Sequence, residues 1–359
     1  MATLDFRGFS ESSAIADFIN YGAIVPLANC TPARLFIGAN GTFGDNFLAL
    51  QTDQYNGVTA QIGWPVATLN PFFGIRMTLK LQGNQNPKAA ATFALTDTTS
   101  NKQVTVSINS LDGSIRVFTG TTQIASAGPG TFIPGLTRYL EIGAGISSIG
   151  GSVVVRLDGN VVINVANVST VSNGAAPAIT TVVFGNDPGY DGNPTAPAAL
   201  ILQHMYVNDN TGPAPLNGFL GDVRVTGQPY AASSGVPAFA PSGAATNVAV
   251  CATNPPVPAT IRNVSTTVGD TDIYTVQPLP PSTTTVYAVG VRTLAAKDAA
   301  GSRSLQNKLT SGATTASGVV VSLGTAPVYV RDNFGLDPAT GAVWTVAAVN
   351  ALKPSYTGG

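Results

Sequence analysis

Catalysis needs titratable groups held close together, and this sequence offers few of them. It has one histidine, His204 in LILQHMYVND, and two glutamates, Glu11 and Glu141. A serine triad would have to rest on His204 alone, with no cysteine or second histidine beside it, so a plain strand residue is the simpler expectation. Glycoside cleavage by paired carboxylates needs two of them about 5 to 9.5 Å apart. On an extended strand the same-face neighbours of Glu141 are Tyr139 and Gly143, neither of them an acid. The Gly-rich run GAGISSIGG (143–151) joins two strand-like segments and lacks the Lys-Ser/Thr ending of a phosphate loop. The expectation is therefore no catalytic residue, no enzymatic activity and no cofactor.

Two kinds of binding chemistry stay open. Asx residues cluster in NDPGYDGN (186–193) and NDN (208–210), with Asp222 shortly after. Such oxygens suit calcium, but the spacing matches no EF-hand and Asx turns account for them equally well, so no metal site is assigned. Sugar rings stack on exposed aromatics while neutral polar groups meet their hydroxyls. Trp64, Tyr55, Tyr190 and Tyr206 are candidates by residue type, and Trp64, Tyr190 and Asp191 are carried forward as glycan contacts. The competing reading is that a sandwich core needs these rings itself.

Composition narrows the partners. Charged residues are 10% of the 359, with 17 Lys and Arg against 18 Asp and Glu. No basic stripe exists to grip phosphate backbones, so nucleic acid is not expected as a partner. No apolar run reaches the roughly 20 residues of a membrane span, and Asp5, Arg7 and Glu11 interrupt the N-terminus where a secretory signal would be apolar. A neutral surface poor in Lys and Glu favours association, which points to a subunit buried in an assembly. Cys30 and Cys251 allow one disulfide at most, and free thiols are expected.

The elements that must position these residues are strands. Val, Ile, Thr, Phe and Tyr alternate in short runs bounded by Gly, Asn, Asp and Pro. Asp112-Gly113 and Asp158-Gly159 each sit between two such runs, the turn chemistry of tight hairpins. Further strands are expected over 41–52, 72–83, 90–97, 137–145, 180–186, 200–209 and 219–226. So many strands in about 225 residues suit a jelly-roll of two multi-stranded sheets. The Gly, Pro, Ser and Ala stretch after Val225 reads as a linker. Strand patterns resume at 272–279, 284–293, 318–324 and 326–334. The expected division is a first sandwich over 1–228, a linker over 229–262 and a smaller β-sandwich over 263–359.

The segments FGDNFLALQT, RYLEIGAGISSIGGSVVVRLDGNVVINV, VVFGND and MYVNDNTGPAPLNGFLGDVRV, in that order, resemble the concanavalin A-like, laminin-G-like sandwiches of tailed-bacteriophage virion proteins. The C-terminal DTDIYTVQPLPPSTTTVYAVGVRTLAAKDAAGSRSL and DPATGAVWTVAAVNALKP are similar to the C-terminal part of the same proteins. In those relatives an acidic pair precedes the YVND segment, where this chain has Gln203 and His204. The resemblance implies an all-β, concanavalin A-like jelly-roll followed by a smaller β-sandwich. It further implies a virion structural or accessory protein, on the capsid exterior or in the tail or fibre, assembled in the host cytoplasm. Its partners would be other virion proteins and copies of itself. The alternative is a carbohydrate-binding module that attaches the particle to a host surface glycan.

Overall fold

The computed structural model describes residues 5–8, 25–27, 35–39, 47–51, 61–81, 90–172, 178–186, 198–253, 256–298 and 300–359. Two compact units share the chain, one running to Val225 and the other continuing from Thr226.

The first unit contains β1 (Asp5–Arg7), β2 (Val25–Pro26), β3 (Leu35–Gly38), β4 (Phe47–Gln51), β5 (Gln61–Thr68), β6 (Phe72–Leu81), β7 (Ala90–Thr96) and β8 (Lys102–Asn109). It continues with β9 (Ile115–Thr119), β10 (Thr122–Ala127), β11 (Thr137–Gly145), β12 (Gly151–Leu157), β13 (Asn160–Val168), β14 (Ile179–Asn186) and β15 (Ala198–Asn208). Among the described residues these form two antiparallel sheets. One is eight-stranded in the order β13-β12-β11-β6-β15-β4-β3, with β1 added to β15; the other is seven-stranded in the order β10-β9-β8-β7-β14-β5-β2.

Alternation decides what faces what, because successive side chains of a strand point to opposite sides. Phe73, Ile75, Met77 and Leu79 of β6, with Leu140, Ile142 and Ala144 of β11, are buried on one side of the first sheet. Leu95, Val104, Val106 and Val182 of the other sheet belong to the same core. Phe184 ties the two sheets together, meeting Phe73 and Phe93 edge-on at centroid distances of 5.9 Å each. The turn between β12 and β13 is the expected Asp158-Gly159, with φ of 50° and 80°, the two left-handed residues a twisted two-residue hairpin requires.

The second unit contains β16 (Tyr230–Ser233), β17 (Ala240–Ser242), α1 (Asn247–Cys251), β18 (Arg262–Val264), β19 (Thr271–Val276), β20 (Val289–Ala295) and β21 (Ser304–Ser311). It ends with β22 (Thr314–Ser322), β23 (Val328–Phe334), α2 (Val346–Asn350) and β24 (Lys353–Gly358). A five-stranded sheet runs β16-β19-β24-β21-β22, with two-stranded ribbons β17-β18 and β20-β23. The β20-β23 ribbon packs on that sheet: Asn307 of β21 donates to Val330 O and to Asp332 of β23, at 3.1 and 3.0 Å.

Two expectations need correction here. The 229–262 stretch is not a plain linker, for it carries β16, β17 and α1. Its small residues pack instead around a carboxylate. Asp272 of β19 is 1% exposed. Its Oδ1 accepts the backbone N–H groups of Ala238 and Phe239 at 2.8 and 3.1 Å. Its Oδ2 accepts from Asn247 Nδ2 at 2.7 Å and from the hydroxyls of Tyr274 and Tyr356 at 2.9 and 3.2 Å. Sequence periodicity misses such a segment because its order comes from a distant acid and not from alternation. The 219–226 run is no strand either, and its place is described below. Cys251 is a free, half-buried thiol whose pKa burial pushes up, and Cys30 lies outside the described residues.

Among the described residues, the strands at the ends of the strand order in the three larger sheets (β2, β3, β10, β13, β16 and β22) are free of Asp, Glu, Lys and Arg, whereas β1 beside β15 carries Asp5 and Arg7. Charge on an edge strand is a usual guard against pairing with another chain. On β22, Val319 and Val320 are 69% and 58% exposed.

Removing the carboxylate at 272 strands five donors. Asp272→Ala is expected to lower the stability of the second unit by about 3 to 5 kcal/mol, read by denaturant unfolding followed through the emission of buried Trp344.

Candidate functional site

The outward side of the eight-stranded sheet carries polar residues in rows set by strand register. One row runs Arg156 (β12), Glu141 (β11), Gly74 (β6), Tyr206 (β15). The row on one side of it has Tyr139, Arg76 and Gln203, and the row on the other has Val154, Gly143, Phe72 and Asn208. Residues 216–225 lie over these rows as an irregular strap. The strap's backbone finds side chains where a strand would find a ladder.

Glu141 is the centre of this arrangement and is fully buried. Its Oε1 accepts from the Tyr206 hydroxyl at 2.5 Å and from Gly221 N–H at 2.8 Å. The Tyr206 hydroxyl in turn accepts Leu220 N–H at 3.0 Å. Arg76 forms an ion pair with Asp222 of the strap, and Val225 N–H donates to His204 Nδ1 at 3.3 Å. Tyr139 donates its hydroxyl to His204 O at 3.3 Å. His204 stands at φ 45°, inside an irregularity of β15 between Gln203 and Tyr206 that turns the strand's polar groups toward the strap.

Two glycines make this face possible. A Cβ on Gly74 would stand 2.2 Å from Tyr206 Cε1 and 2.9 Å from Tyr139 Cε1. One on Gly143 would stand 2.7 Å from both Phe219 Cζ and Phe72 Cδ1. Each glycine is the floor beneath a pair of rings. Burial first, and then the Glu141 charge, raise the phenols of Tyr139 and Tyr206 well above the ordinary tyrosine value. Both stay protonated at neutral pH, so Tyr206 donates to Glu141 and Tyr139 to His204 O, while the Tyr206 oxygen accepts from Leu220 of the strap.

Beside the buried cluster lies a surface patch. Phe72 and Phe219 are half-buried and meet edge-on at 5.0 Å, and the Arg156 guanidinium lies 4.1 Å above the Phe219 ring centroid. Asn70 donates to Asn210 Oδ1 at 3.3 Å. The space over Gly145 is shared by Asn70 and Ser152, whose side-chain oxygens lie 3.6 and 3.1 Å from where its Cβ would be. Rings with neutral amides and a hydroxyl alongside can stack a sugar and bond its hydroxyls.

The residues predicted as glycan contacts are not these. Trp64 is 2% exposed, a member of the core, and its indole N–H donates to Asp5 Oδ2 at 2.8 Å. It offers no free ring face, because a core between two sheets needs large rings and took this one. Tyr206, a candidate by residue type, is buried beneath the strap. Tyr190, Asp191 and Tyr55 lie outside the described residues. Of the Asx groups weighed for calcium, Asp209 closes an Asx turn on Thr211, accepting its N–H at 2.9 Å and its hydroxyl at 2.6 Å. Asp222 serves Arg76. Phe72 and Phe219 were missed because 72–83 reads as an ordinary strand and 219–226 as another, and only the fold brings the two rings together.

No family model and no curated protein matches this chain. Solved structures do. An alginate lyase aligns at 11% identity and TM-score 0.41, over 57% of this chain and 96% of its own. A carbohydrate recognition domain aligns at 9% and 0.34, over 56% and 96%. The catalytic domain of a glycoside hydrolase family 131 protein from Coprinopsis cinerea aligns at 14% and 0.38, over 60% and 96%. The chain is an all-β protein whose first unit is a sandwich of two antiparallel sheets on a shared core. The expectation that the chain is no enzyme is corrected by the same findings, since a lyase and a hydrolase catalytic domain are among its structural neighbours. Scarcity of titratable residues was a poor ground for excluding activity: Glu141 and Tyr139 of β11, Arg76 of β6 and Tyr206 of β15 gather on one face.

Tyr206→Phe keeps the ring over Gly74 and removes the hydroxyl shared by Glu141 and Leu220. It should cost about 1 to 3 kcal/mol and speed hydrogen exchange at the Leu220 and Gly221 amides, with amides of the β8-β9 hairpin unchanged.

Proposed function

We propose that the first unit is a carbohydrate-binding sandwich whose contact surface is the patch of Phe72, Phe219, Asn70, Asn210 and Ser152. The observation that carries this reading is the half-buried edge-to-face Phe72–Phe219 pair with the Asn70–Asn210 amides next to it. A ring pair at a surface has apolar area to cover, and a pyranose covers it while leaving its hydroxyls to the amides. The fold holds the patch rigid, since Phe72 is on a central strand and Phe219 is seated over Gly143. Rigid platforms lose little entropy on binding.

A second reading, assembly into a larger particle, is favoured by the charge-free strands at both ends of the strand order in the three larger sheets. In the setting that the sequence resemblance suggests, copies of this chain and other virion proteins of a bacteriophage would be the partners. The two readings are compatible, because the patch lies on a sheet face and association would use sheet ends.

On a glycan array the intact chain is expected to bind a subset of sugars. Phe219→Ala should weaken that binding about tenfold with the circular dichroism spectrum unchanged; binding to no sugar would sink the carbohydrate reading. For assembly, sedimentation over a concentration series should show association, and Val319→Lys with Val320→Lys should shift it toward monomer by giving β22 the charge it lacks. A chain that sediments as a monomer at every concentration would exclude association between copies.

A further inference from the structure

We infer that the patch selects an acidic sugar, and that Arg156 is the residue that reads its negative charge. This rests on the carbohydrate reading above and names the class of ligand within it. Arg156 stands on β12, is half-buried, and lays its guanidinium over one face of the Phe219 ring. Arg7, Arg76 and Arg138 of the same unit each hold a carboxylate, from Asp5, Asp222 and Asp158. Arg156 holds none among the described residues. Its Nε is buried without a hydrogen-bond partner.

Among the described residues two carboxylates share this face: Asp222 is ion-paired, and Glu141 is bonded through Oε1 while its Oε2 is buried without a hydrogen bond. Glu141 sits directly across from Arg156 in strand register, yet its bonded oxygen accepts from Tyr206 and Gly221. Asp222 is paired with Arg76. Around the ring platform the remaining side chains are neutral: Asn70, Asn210, Ser152 and Val154. Among the described residues, an oxyanion arriving there meets the Arg156 cation and no exposed carboxylate at the platform itself.

The orientation of Arg156 matters as much as its charge. A guanidinium stacked on a ring has its plane fixed, so its N–H groups point outward in a rigid fork that matches the two oxygens of a carboxylate or sulfate. Stacking also prepays the side-chain ordering that a free arginine would incur on binding. The bound sugar would lie against Phe72, beside the guanidinium-capped Phe219, with its acidic group on the fork and its hydroxyls toward Asn70 and Asn210. Hexuronates and sulfated hexoses offer the same oxyanion chemistry, and the test separates them.

Titration calorimetry on the intact chain uses three probes of equal length: an oligouronate, a sulfated oligogalactan and a neutral oligoglucan. At least one acidic probe should bind about tenfold or more tightly than the neutral one, the size of a charge-assisted hydrogen-bonded pair, and the difference should shrink with added salt. Arg156→Gln should bring the ratio of acidic to neutral affinity, both measured on the same variant, to about one. Arg156→Lys, which keeps the charge and loses the fork, should retain only part of the preference. Equal affinity for acidic and neutral probes, or a preference that survives Arg156→Gln, overturns the role of Arg156 and leaves carbohydrate binding standing. Binding of none of the three, with an array also blank, overturns both.

Discussion

A carboxylate removed from water must be met by donors on the spot, and that requirement at Glu141 organises the outer face of the first sandwich. Burying an ion costs several kcal/mol unless hydrogen bonds and charges replace its hydration. Here a phenol on β15 and a backbone N–H of the strap meet Oε1, while Oε2 is buried without a hydrogen bond. Tyr206 can reach Glu141 only because Gly74 leaves room between them. The strap can present Gly221 only because Leu220, Asp222 and Val225 are held by Tyr206, Arg76 and His204. Phe219, one residue before this clasp, is thereby fixed against Phe72. The surface platform is thus a by-product of a charge buried underneath it.

The second unit solves the same problem with different parts. Asp272 collects two backbone N–H groups, an amide and two phenols. The donors come from 238–247 and from β19 and β24, so one acid draws an apparently featureless stretch into the fold. Tyr230 completes the group by stacking on Tyr274 at 4.6 Å. In a protein with so few charged residues, two of the buried acids thus act as nodes where separate segments are joined.

This explains which parts of the architecture could be read from the chain. Alternation located β6, β7, β11, β14 and β15 within a few residues, and Asp158-Gly159 gave its hairpin, because those signals are local. The strap defeated the same reasoning: FLGDVRVT alternates like a strand, but its amides are claimed by Glu141, Tyr206 and His204 from far away in sequence. The platform was illegible for the same reason. Phe72 and Phe219 are separated by most of the first unit, and neither is unusual in its own segment. Trp64 failed as a candidate because residue type says that a ring is large and apolar, and nothing about which side of the sheet it takes.

The two floor glycines carry a consequence for recognising other chains built this way. Gly74 and Gly143 lie on neighbouring strands, and any side chain at either would collide with an aromatic ring within 3 Å. A chain that replaces one of them must surrender a ring, and with it the clasp or the platform. Two glycines at this interval, the first two residues after a phenylalanine and the second two residues after a glutamate, therefore form a fingerprint. It could be searched for where overall sequence similarity has faded, and it would distinguish sandwiches with a covered sheet from those with an open one.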